Sequence, residues 1–129
     1  MKRVYMFLLV VIFLFAGCSE QSTINTKSVD DISIFYGVSS YAMFGAEQTK
    51  IDDLYEKFNS LTFEKTSEEI DLMSAFMVCF YAEDHRIKSF NVDSNGIFWL
   101  DGGTQCYKIK SGTFDYGYLK GIYTESRQK

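Results

Sequence analysis

The spacing of apolar residues changes along this chain, and that change limits the fold more than any other feature. Ile51, Leu54, Tyr55, Phe58 and Leu61 form one stripe of 3.6-residue period, with Asp52, Asp53, Glu56 and Lys57 outside it. This predicts an amphipathic helix, with Thr49 as N-cap and Asp52 three residues on. From Leu72 to Ala82 nearly every position is apolar, as in a central strand covered on both faces. After a Glu83–Arg86 turn, the runs Ile87–Val92, Ile97–Leu100 and Thr104–Lys110 are short. They are divided by Asp93-Ser94-Asn95-Gly96 and Asp101-Gly102-Gly103, turn residues in a chain without proline. Strands at that spacing predict a sequential antiparallel meander. In the last run Gln105, Tyr107 and Ile109 alternate with Cys106, Lys108 and Lys110, which predicts one core face and one wet face.

Upstream, Ile32–Tyr36 and Val38–Phe44 read as a strand pair or as one strand bent at Gly37, and Glu64–Asp71 reads as a charged, exposed connection. Asp115 can cap a short final helix carrying Tyr118, Leu119, Ile122 and Tyr123, although Gly117 and Gly121 each cost it about 1 kcal/mol relative to alanine. The expected class is α+β: an antiparallel β-meander sheet packed by one amphipathic helix, with a short C-terminal helix.

The first eighteen residues follow another rule. Met1-Lys2-Arg3 precede twelve apolar residues, Val4–Phe15, and then Ala16-Gly17-Cys18. Twelve residues rise about 18 Å as a helix, whereas a bilayer core needs roughly 20 residues, so the run reads as a signal and not as a span. Phe15-Ala16-Gly17-Cys18 resembles the lipobox of bacterial lipoproteins, with Phe15 where Leu is commonest. The resemblance implies cleavage before Cys18 and a thioether-linked diacylglycerol on its thiol, with or without a further acyl group on its amine. It also implies a protein anchored at the extracytoplasmic face of the cell membrane. The expected organisation is a lipoprotein signal peptide over 1–17, a lipidated N-terminus and polar tether over 18–31, and one small domain over 32–129.

The phrase Asp53-Leu54-Tyr55-Glu56-Lys57-Phe58-Asn59-Ser60-Leu61-Thr62-Phe63-Glu64-Lys65, with Tyr107-Lys108-Ile109 near the end, resembles small uncharacterised lipoproteins of low-GC Gram-positive bacteria. That likeness spans roughly Ile32–Tyr123. It implies a strand, a helix, meander strands and a final helix, and it carries no active site to transfer.

Charge excludes some partners. The formal net charge is −4, and without Lys2 and Arg3 the remaining 11 basic residues face 17 acidic ones, for −6. An acidic domain is not drawn to nucleic acid or to anionic headgroups, so the lipid on Cys18 is the expected membrane contact. Chemistry is equally sparse. His85 is the sole histidine, and Glu83-Asp84-His85 reads as a solvated turn and not as a metal site. Asp93-Ser94-Asn95-Gly96 opens like a calcium loop, but Thr104 stands at the twelfth position where a bidentate Glu is needed. It reads as a turn. Cys79 and Cys106 fall on the first and last meander strands, roughly 14 Å apart in a sequential sheet and beyond the ~7 Å limit for bridging, so free thiols are expected.

These observations predict a non-enzymatic, monomeric protein without metal or cofactor, whose function is to bind a protein partner. Tyr81, Trp99 and Tyr107 are the candidate binding face, because Tyr and Trp are enriched at interfaces. The alternative is a small molecule or envelope component held in a pocket between helix and sheet.

Overall fold

In the computed structural model, which describes residues 29–37, 39 and 41–127, the apolar spacing resolves into seven strands and two helices. In chain order they are β1 (Asp31–Tyr36), β2 (Ala42–Phe44), α1 (Gln48–Asn59), β3 (Thr62–Lys65), β4 (Phe76–Ala82), β5 (His85–Val92), β6 (Phe98–Leu100), β7 (Tyr107–Ser111) and α2 (Tyr116–Arg127). The strands form one antiparallel sheet in the order β2-β1-β4-β5-β6-β7-β3. Strands β4 to β7 are the sequential meander that their turns predict. The protein is therefore α+β, with one helix in mid-chain and a short one at the C-terminus.

Alternation along β4 sends Phe76, Val78 and Phe80 to one face, where all three are fully buried. Both helices pack there. Ile51, Leu54 and Phe58 of α1 and Leu119, Ile122 and Tyr123 of α2 are the buried positions of their helices. Phe58 stacks on Phe90 of β5 at 4.2 Å, Tyr55 meets Phe80 at 5.0 Å, and Tyr123 meets Phe76 at 5.5 Å. Each such side chain taken from water contributes about 1.5–3 kcal/mol, so this aromatic layer is the main source of stability.

Several expectations need correction. The helix begins one residue before Thr49, at Gln48; Glu47 occupies the N-cap position and makes no side-chain cap. Thr49 lies inside the first turn, so its hydroxyl is past the place from which a cap is made. The charged connection expected from Glu64 starts as a strand: β3 pairs with β7 through Phe63↔Ile109, Glu64↔Lys108 and Lys65↔Tyr107, and closes the sheet at its far edge. Its single apolar residue, Phe63, gives too little alternation to read, and the free edge of β7 decides the pairing. The strand expected from Leu72 starts at Phe76, and Leu72 and Met73 are exposed in the turn before it. The two stretches around Gly37 form a strand pair, β1 with β2.

The tether expected to reach Asp31 ends earlier. Val29 is buried, the Asp30 N–H donates to the Tyr81 carbonyl at 2.9 Å, and Asp31 opens β1. At the other end the Asp115 cap is present: its Oδ1 accepts the Tyr118 N–H at 3.1 Å. The signal segment and Cys18 lie outside the described residues.

Candidate binding surface

Among the described residues no helix lies on the face of the sheet opposite α1 and α2, and the strand register sets what that face displays. One row across the strands reads Phe35, Met77, Asn91 and Trp99; the next reads Phe44, Ser33, Cys79 and Ser89. The second row is small in its middle. Ser33, Cys79 and Ser89 are buried. The Tyr81 hydroxyl, from β4, lies 3.3 Å from Ser33 Oγ on β1, and Phe35 meets Phe44 edge-on at 5.8 Å. Phe44 is left 72% exposed. The result is a flat face of half-buried Phe35, Met77, Tyr81 and Trp99, with exposed Phe44 at its β2 edge.

This arrangement separates the three aromatics that the sequence brings forward. Tyr81 and Trp99 are on the open face but not adjacent: Trp99 shares a row with Met77, while Tyr81 pairs with Arg86 toward the far end of β4. Tyr107 is on the helix face. It pairs with fully buried Phe98 and meets Phe63 at 6.5 Å, so it is part of the core margin and not of the open surface. Alternation in β7 assigns it there, just as its place beside Ile109 predicts. Phe35, Phe44 and Met77 were the residues the sequence did not single out. Phe35 alternates against Ile34 and Tyr36, and that was the available signal.

The other tyrosines are structural. Tyr123 donates to the Tyr41 carbonyl at 2.8 Å, Tyr41 to the Ser126 carbonyl at 3.1 Å, and Tyr116 to the Ser74 carbonyl at 2.6 Å. Tyr118 donates to Asp53 Oδ2 at 2.6 Å, and that bond, with burial and the Asp53 charge, pushes its hydroxyl up to about 12. Lys57 and Tyr118 together hold the Asp53 carboxyl below the usual range. This cluster ties α1 to α2.

The Asp93-Ser94-Asn95-Gly96 segment is a turn, and Asp93 is its organiser. The residue is fully buried; Oδ1 accepts the N–H groups of Asn95 and Ile97 at 2.9 and 2.8 Å, and Oδ2 accepts the Asp71 N–H at 2.7 Å. Its oxygens are spent on backbone. Among the described residues no three His, Cys, Asp or Glu side chains come together as a metal-binding group would require. His85 is exposed at the start of β5. Cys79 on β4 and Cys106 just before β7 are free, with β5 and β6 between them, and Trp99 Nε1–H donates to Cys106 Sγ at 3.3 Å.

Two clefts are lined wholly by described residues on the helix side. One of about 180 Å³ lies between the C-terminal end of α1 and strands β5 and β6, lined by Phe58, Phe63, Lys88 and Leu100. A larger one of about 260 Å³ sits at the β2 edge between Phe44, Lys50, Ile122 and Glu125. Both fall below the roughly 300 Å³ typical of small-molecule sites. Among the described residues no helix is long and apolar enough to cross a membrane. Comparisons with models of known protein families, with curated proteins and with solved structures find no match to this chain.

Proposed function

We propose that this protein is a non-enzymatic, monomeric binding module for a protein partner, held at the extracytoplasmic face of a membrane by lipid on Cys18. The observation that carries the binding role is the open sheet face, where Phe35, Met77, Tyr81 and Trp99 remain half-exposed beside Phe44 at 72%. An antiparallel sheet can leave one face to water, but that face then usually alternates to polar residues. Here Phe35, Met77, Tyr81 and Trp99 stand among Ser33, Ser89 and Asn91, a face richer in large apolar and aromatic side chains than a solvated one needs. The lipid role rests on Phe15-Ala16-Gly17-Cys18 after an apolar run too short to span.

Metabolic labelling with a fatty acid tests the anchor: the full chain takes up label and Cys18→Ala does not. Equal label in both overturns it. A photo-crosslinking residue at Met77 tests the face, and absence of any protein adduct there overturns the binding role.

A further inference from the structure

The turn that leads into β4 presents two large apolar side chains to water: Leu72 is 55% exposed and Met73 is 65% exposed. The turn itself is tightly held. Asp71 Oδ1 accepts the Met73 N–H at 3.0 Å and Oδ2 accepts the Ser74 hydroxyl at 2.9 Å. The Asp71 N–H goes to buried Asp93 at 2.7 Å, Ser74 Oγ accepts the Ser94 N–H at 3.2 Å, and the Ser74 carbonyl accepts the Tyr116 hydroxyl at 2.6 Å. On the remaining side the turn lies against the end of β1. A Cβ at Gly37 would come within 2.4 Å of the Leu72 carbonyl oxygen, so only glycine permits that approach. A backbone fixed this way loses little further conformational entropy when a partner covers the two side chains.

Charge narrows the partner. No Lys or Arg occurs from Thr66 to Asp84, and Glu68, Glu69 and Asp71 immediately precede the apolar pair. Lys108 pairs with Glu68; Glu69 and Asp71 are exposed. The acidity of this end reaches Tyr116, whose hydroxyl is pushed up to about 12 by burial first, then by Tyr36, Asp93 and Asp71. Charge disfavours an anionic bilayer as occupant. The turn sits at the Phe76 end of β4, whereas the described chain begins at Val29, against the Tyr81–Glu83 end. Those ends are about 20 Å apart along the strand. Anionic headgroups or a second copy of the same acidic end would be repelled.

We propose that Leu72 and Met73 form a preorganised knob that docks into an apolar pocket of a protein partner whose rim carries Lys or Arg. This rests on the reading of the chain as a membrane-tethered protein-binding module and names its contact and the chemistry of its partner.

The test uses the full chain in its own cells with p-benzoylphenylalanine, a photo-crosslinker, at Met73, and the same residue at exposed Lys120 on α2 as control. The expected result is one discrete protein adduct from position 73, at least tenfold stronger than from 120. Adding Glu69→Lys weakens it at least tenfold, while the remote reversal Glu56→Lys on α1 leaves it unchanged. Adducts only with lipid, only with a second copy of the chain, none above the control, or an adduct indifferent to Glu69→Lys each overturn the proposal. These side chains are exposed, so an unchanged thermal midpoint shows that a lost adduct reflects contact and not folding. A parallel crosslinker at Met77 separates the two readings: protein adducts at 77 without any at 73 sink the knob and leave the binding module standing. Conversely, adducts at 73 with no fatty-acid label at Cys18 sink the anchor and leave the knob.

Discussion

The two faces of the sheet are built by the same alternation and end differently. On one, Phe76, Val78, Phe80, Phe90, Val92 and Phe98 are all fully buried under α1, α2 and the Phe114 ring, which meets Phe98 edge-on at 5.5 Å. On the other, Phe35, Met77, Tyr81 and Trp99 are half-buried beside the small, buried Ser33, Cys79 and Ser89. The comparison teaches that apolar character along a strand reports what the strand can bury, not what is available to bury it. Leu72–Ala82 reads as covered on both faces; among the described residues helices pack on one, although Cys79 on the other is also buried.

The largest test of that contrast is on the helix face. In residues 19–129, Leu54→Ala and Phe58→Ala should each lower stability by about 2–5 kcal/mol in urea titration, the range for emptying a packed site. If Met77→Ala, on the open face, costs as much, the two faces are not different and the open one is core. Asp93→Ala should lower stability by about 3 kcal/mol, because three backbone N–H groups lose a buried charged acceptor. A loss under about 1 kcal/mol would mean that water replaces the carboxylate and that the Leu72–Met73 turn is not anchored from within.

Titration sharpens the same contrast, since both perturbed tyrosines, Tyr116 and Tyr118, belong to the helix side. Each is raised from 10 to about 12 in the folded protein, so the folded state holds the proton more tightly. Their contribution is complete below pH 10 and is lost as pH rises from about 10 to about 12. The thermal midpoint should fall over that window, and the fall should shrink in the Tyr116→Phe/Tyr118→Phe double variant. An identical fall in the variant would assign it to other groups. Smallest is a gain: Gly121 lies within α2 and a Cβ there meets nothing within 4 Å, so Gly121→Ala should stabilise by about 0.5–1 kcal/mol. Destabilisation there would show that the helix face is more crowded than its packing implies.

The helix stripe from Ile51 to Leu61, the Asp115 cap and the meander turns were legible because each depends on residues adjacent in sequence. The turn between β4 and β5 is an instructive case. Glu83 and Asp84 both adopt left-handed backbone, at φ 50° and 63°, where Asn-Gly would be usual. The sequence still marked the turn by its polarity between two apolar runs. Strand β3 was illegible because Thr62-Phe63-Glu64-Lys65 carries one apolar residue, and its pairing comes from β7, more than forty residues on. The candidate surface was partly legible: Tyr81 and Trp99 could be named, but no local pattern tells which side of the sheet the helices will take.

By itself the sequence determined the class of the fold, the helices, the four meander strands and the acidic, histidine-poor surface, since periodicity, turn residues and charge are local properties. Tertiary structure alone decided that both helices share one face, that β3 closes the sheet edge, and that Tyr107 is packed while Phe35, Phe44 and Met77 stay open. The physical reason is that burial belongs to pairs of surfaces. A strand's own residues state its two faces, and only the packing of the whole chain selects which of them meets a partner within the molecule.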